Sequence, residues 1–182
     1  MSQRNCMSQR NCKQHFSQWV SAEQVDSIAD QTVMTKRHSH QNKIFLVAGE
    51  GINIDLSNVP AGDVSILLAR LAVNLCGLRR PVVKIDFSTI IEVEDGNEVE
   101  LLIALRRTCN GNSTILETYE LEFDNVESLP FSFTFVDNQI GCHSECYCVY
   151  TVEIIRIDVE GGTTVNEIET DSTAINAIVQ AC

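Results

Sequence analysis

Over much of the chain the apolar residues recur at every second position, which a strand with one dry and one wet face requires and a helix of period 3.6 does not produce. Val83, Ile85, Phe87, Ile91 and Val93 alternate with Lys84, Asp86, Ser88, Glu92 and Glu94. After Asp95-Gly96-Asn97, a turn sequence that accepts positive φ at low cost, Val99, Leu101, Ile103 and Leu105 alternate with polar partners. The two runs predict a β-hairpin. A second turn, Asn110-Gly111-Asn112, leads to a strand that sets Tyr119, Leu121 and Phe123 against Glu120, Glu122 and Asp124. In Phe131-Ser132-Phe133-Thr134-Phe135 three aromatic residues share one face, which is expected to be core.

The run from Tyr147 to Val159 departs from strict alternation. Cys148, Tyr150, Val152 and Ile154 share one parity, whereas Ile155, Ile157 and Val159 share the other. A one-residue slip near Ile154 restores a single buried face, so a β-bulge is expected there. Further strands are expected at 44–48, 52–56 and 173–181. In 64–75, Val64, Leu67, Leu68, Leu71 and Leu75 also fit a helical stripe, but neighbouring strands need partners and the segment is read as strand. About nine short strands separated by turns predict an all-β chain, a jelly-roll or two-sheet β-sandwich.

At 182 residues and 20.3 kDa the chain suits one compact domain plus an extension, which excludes a large multidomain enzyme. It holds no apolar run near the roughly 20 residues of a membrane-spanning helix, so no membrane insertion is expected. The net charge of −12 opposes a general grip on phosphate backbones, and nucleic acid is not expected as a partner. Residues 1–43 hold six cationic and three acidic residues, a net +3, and the remaining 139 carry −15. We read residues 1–43 as an N-terminal connector arm and 44–182 as the sandwich. Opposite charges on arm and body favour association between copies, although a tail without fixed structure has the same composition. The arm opens on a direct repeat, Met1–Cys6 and Met7–Cys12, which a second start or a duplication would also produce. No apolar core of roughly 7 to 15 residues follows its arginines, so the general secretion route is not expected.

Eight cysteines, Cys6, Cys12, Cys76, Cys109, Cys142, Cys146, Cys148 and Cys182, exceed what a body of this size needs in order to fold. Two lie on the arm and others fall at strand ends or in the segment 141–148, where sulfurs can reach other molecules. Cys6, Cys12, Cys109, Cys142, Cys146 and Cys148 are therefore candidates for intermolecular disulfides, with reduced structural thiols as the alternative. Cys142, His143, Glu145, Cys146 and Cys148 could ligate zinc, but the body lacks a second short ligand pair, so no metal is expected. His38 and His40 form an isolated HxH in the arm. Gly49-Glu50-Gly51 lacks the third glycine and the βαβ setting of a dinucleotide site. Cysteine nucleophiles in the body have only His143 as a base. No catalytic residues and no cofactor are expected.

Pro81–Ser88, Leu105–Gly111, Phe131–Phe135 and Cys146–Glu153 together resemble an uncharacterised domain family of spore-forming clostridia and bacilli, itself similar in plan to endospore-appendage pilins. The resemblance covers about residues 60 to 181. It implies a jelly-roll subunit that stacks by β-strand augmentation into a helical fibre of identical subunits on the spore surface, with a spore-coat anchor protein as a further partner. By the same analogy Cys6 and Cys12 are connector thiols and Cys109 an acceptor. The chain departs from that pattern in its long arm and in the five residues that separate the first two thiols. Release by lysis of a mother cell would deliver such a subunit without a signal peptide. Two rivals stand beside this reading, a ligand- or metal-binding β-sandwich of the spore coat or exosporium and a thiol-dependent enzyme. A glycan-binding sandwich needs exposed aromatic residues, and the one tryptophan, Trp19, sits in the arm.

Overall fold

The computed structural model describes residues 43–95, 97–124, 127–140 and 147–181. These form ten strands: β1 (Lys43–Ala48), β2 (Glu50–Gly51), β3 (Asp55–Pro60), β4 (Gly62–Asn74), β5 (Val82–Glu94), β6 (Val99–Cys109), β7 (Asn112–Phe123), β8 (Glu127–Asp137), β9 (Tyr147–Val159) and β10 (Thr164–Ala181). One sheet has the order β1-β10-β5-β8, with β3 beside the first half of β10; the other has the order β2-β4-β9-β6-β7. Every pairing is antiparallel. This is the expected jelly-roll β-sandwich. No helix among the described residues is long and apolar enough to cross a membrane.

The inward positions of both sheets build one core. Ile85, Ile91, Leu101, Ile103, Ile154 and Ile168 are fully buried, each stabilising the fold by about 1.5–3 kcal/mol relative to exposure. The strand read for 64–75 is confirmed as β4. Its helix-like spacing has a cause, because the register against β9 shifts between Asp63 and Ile66 and again between Leu67 and Ala69. The slip expected in β9 is also present. Ile154 pairs with Ile103 and Arg156 with Leu102, so Ile155 is the extra residue, and burial passes from Ile154 to Ile157.

The predicted hairpin of residues 83–93 and 99–105 is corrected by the structure: β5 and β6 lie in different sheets. Alternation reports which face of a strand is dry, and two strands of opposite sheets satisfy it as well as two neighbours do. The turn is a crossing held by Asp95, which is buried. Its Oδ1 accepts the Asn97 amide at 3.1 Å and its Oδ2 accepts the Asn166 amide from β10 at 2.9 Å. The Asn110-Gly111 turn does join neighbours. Cys109 pairs with Asn112 across it, with φ of 50° and 82° at the two central residues, as a type I′ hairpin requires.

Expected strand 52–56 is replaced by a double crossing, in which the chain passes from β1 in the first sheet to β2 in the second and returns as β3. Gly49 and Gly51 permit it. A Cβ on Gly51 would lie 1.8 Å from the Thr173 carbonyl oxygen, and one on Gly49 would lie 2.5 Å from Ile175 Cγ2. The Gly-Glu-Gly motif is thus explained by close backbone approach. The last strand reaches back to Thr164, further than 173, and bulges between Asp171 and Ala174. There Thr89 Oγ1 lies 2.8 Å from Thr173 Oγ1.

Candidate assembly surface

One end of the sandwich gathers most of the chemistry. In the first sheet Lys43 pairs with Ala181 and Val83 with Asp137; in the second Asn74 pairs with Tyr147 and Cys109 with Cys148. The chain therefore enters β1 at the same pole that carries the body's described cysteines.

Cys109 and Cys148 face each other on β6 and β9 with Cα atoms 4.3 Å apart and form a disulfide; both are buried. This corrects the expectation that these two sulfurs join separate copies. The register of neighbouring strands sets them opposite one another, and the bond occupies both within one chain. Cys76 is also disulfide-bonded. Cys6, Cys12, Cys142 and Cys146, together with His38, His40, His143, Glu145 and Trp19, lie outside the described residues.

Beneath the disulfide a charged network ties the two sheets. Arg107 and Tyr150 are cross-strand partners on β6 and β9, and both point at Asp137 on β8. Arg107 Nη1 donates to Asp137 Oδ1 at 2.9 Å and to Oδ2 at 2.7 Å, the Tyr150 hydroxyl donates to Oδ2 at 2.9 Å, and the Gln139 amide donates to Oδ1 at 3.1 Å. With three donors converging in four hydrogen bonds, the buried carboxylate is well satisfied. Sequence reasoning missed this site, although the signal was present: Asp137 continues the inward parity of Phe131, Phe133 and Phe135, and a carboxylate there needs a partner.

The sheet edges are open. Among the described residues β7 and β8 each have one strand neighbour, as does β1. Phe131, Phe133 and Phe135 face inward but are only half-buried, because β8 is an edge, so the expectation of a closed aromatic core holds in part. Tyr119 of β7 packs on Phe131 and Phe133 from the other sheet, stacked on Phe133 with ring centroids 4.5 Å apart. Burial, then the nearby Glu117, raises its hydroxyl pKa above 10.0. On β1, Ile44 is 65% exposed, Phe45 45% and Leu46 77%. Native proteins usually protect such an edge with charge, bulges or cover.

The outer face of the first sheet is acidic. Asp55 pairs directly with Glu169, Glu169 with Glu92 and Glu167 with Glu94. Oxygens of Asp55, Glu167 and Glu169 all lie within 4.8 Å of one another, the grouping among the described residues whose geometry could hold a cation. A hydrogen bond with Glu167, then burial and the neighbouring charges of Glu167 and Asp55, raises the pKa of Glu169 above 4.5; a hydrogen bond with Glu100 does the same for Glu120. A raised carboxyl pKa means that the folded chain binds protons before the unfolded chain does, so stability is lost as pH rises through the folded value. The thermal midpoint is therefore expected to gain a contribution from these groups as pH falls from 7 towards 5. Glu169→Gln should raise the midpoint at pH 7 and reduce that gain; a Gln variant less stable than the parent at pH 7 would contradict the repulsion.

Solved structures match the chain at low similarity. A structure of the infectious bursal disease virus Gx strain is 12% identical with a TM-score of 0.47, over 85% of this chain and 36% of that chain. A structure described as "CBM4 structure and function" is 10% identical with a TM-score of 0.39, over 69% of this chain and 70% of the other. The chain thus spans about a third of the length of the viral protein. No protein with a curated description matches the sequence. A family model described as a domain of unknown function, DUF4489, matches residues 42–180.

Proposed function

The chain belongs to the DUF4489 family, and we propose that it is a self-assembling structural subunit, polymerising into an extracellular or spore-surface filament by β-strand augmentation and arm insertion. The observation that carries this reading is the apolar edge strand β1, which presents Ile44, Phe45 and Leu46 to solvent where the arm joins the body. An added strand would satisfy the main-chain groups of two copies and cover those side chains. A head-to-tail contact that does not close on itself yields a fibre. The resemblance of the sequence to a family similar in plan to endospore-appendage pilins favours the same reading, and from that resemblance we take the surface location, a spore-coat anchor as partner and a role for Cys6 and Cys12 as connector thiols. The candidate junction sulfurs are Cys6, Cys12, Cys142 and Cys146, since Cys109 and Cys148 are joined to each other. On this reading the protein is not an enzyme.

Negative-stain microscopy of the full-length protein tests the proposal. Filaments are expected without reductant, and shorter or dissociating ones with it, because covalent links between copies convert reversible stacking into a persistent polymer. Discrete particles under both conditions would end it.

A further inference from the structure

We propose that the junction is formed by β1 of one copy pairing with β8 of the next, an inference that rests on the self-assembly reading and names the two edges involved. Polarity is the first reason. Each neighbouring pair in β1-β10-β5-β8 is antiparallel, so the two outer strands run in opposite directions. A second copy in the same orientation then sets its β1 antiparallel to β8 and continues the sheet without a two-fold axis. Repetition of that contact does not close.

Height and length also agree. β1 lies along the end of β10 that finishes at Ala181, and the segment 131–137 of β8 lies at that same pole, where Asp137 pairs with Val83. Six residues of β1 meet a run of similar length that Pro130 closes, because proline has no N–H to give an added strand.

The faces match as well. Phe45 and Val47 pair with the buried Val179 and Ala177 and so point to the inner side, whereas Ile44 and Leu46 point outward. On β8 the phenylalanines are on the inner side and Val136, 41% exposed, is on the outer. A register that sets Phe45 opposite Phe135 carries Phe45 onto the half-buried aromatic row and Ile44 onto Val136. Each apolar edge then covers the other.

One such strand pair is smaller than the roughly 1,200 Å² that stable interfaces bury. The 42 residues that precede Lys43 are available to add contact between copies. The net +3 of residues 1–43 against −15 on the body favours their lying on a neighbour.

Full-length Ile44→Cys and Val136→Cys chains, assembled separately and as a mixture, then oxidised and digested for peptide mass spectrometry, test the assignment. A 44–136 link confined to the mixture is expected, since a directly opposed antiparallel pair brings Cα atoms within disulfide reach. Links of 44 to 44 or of 136 to 136 would instead indicate a two-fold pairing and overturn the head-to-tail junction. Filaments without any 44–136 link would reject these edges and leave self-assembly standing, whereas absence of filaments from the unaltered chain would reject self-assembly itself. Leu46→Glu, at an exposed site that folding does not need, should raise the concentration required for assembly at least tenfold; an unchanged requirement counts against β1.

Discussion

Asp137→Ala is expected to destabilise the protein by about 3–5 kcal/mol, the cost of breaking a buried ion pair from one side. The carboxylate is almost fully enclosed, and the side chain of Arg107 is only 12% exposed. Truncation takes away the acceptor that the guanidinium shares with the Tyr150 hydroxyl, while the charge of Arg107 stays in a site with little water. Native domains are stable by about 5–15 kcal/mol, so the loss is a large fraction of the whole. Urea unfolding would measure it. The electrostatic cause makes a second demand: Asp137→Leu combined with Arg107→Met should be less destabilising than Asp137→Ala alone, because no charge is then left behind. A double variant as unstable as the single one would assign the loss to packing instead.

Removing the disulfide ranks next. Cys109 and Cys148 are separated by 39 residues, and closing a loop of that size in the unfolded chain corresponds to about 4 kcal/mol in the chain-entropy account. Cys109→Ala with Cys148→Ala isolates this bond better than a reductant does, since Cys76 is disulfide-bonded as well. The denaturant midpoint should fall substantially with little change in slope. Pairing of β6 with β9 from Thr108–Val149 inward, together with the pairing of Cys109 to Asn112 and of Cys148 to Val73, should keep the fold intact. A midpoint within a few tenths molar of the parent would show that the unfolded chain gains little freedom when the bond is lost.

How far the sequence discloses the molecule can be judged strand by strand. Alternation located β5, β6, β8 and β9, and the parity change in β9 revealed the bulge at Ile155, because burial of one face is a local constraint written into consecutive residues. Which strands are neighbours is not local, and so β5 and β6 looked like a hairpin. The Asn110-Gly111 turn was readable since its φ values demand particular residues, whereas Asp95 does its work through a contact with Asn166 far along the chain. Cysteine spacing likewise hides that Cys109 and Cys148 are opposed, a fact of register between β6 and β9. The acidic trio of Asp55, Glu167 and Glu169 assembles from two strands more than a hundred residues apart, and neither segment shows it alone. Exposure of β1 could not be read either, because its apolar composition looks the same for a buried strand.

Sedimentation velocity of the full-length chain over a range of concentrations addresses self-assembly most directly. Open-ended addition predicts a broad distribution of fast-sedimenting species that grows with concentration and has no preferred upper size. A single boundary corresponding to 20.3 kDa at every concentration would contradict it.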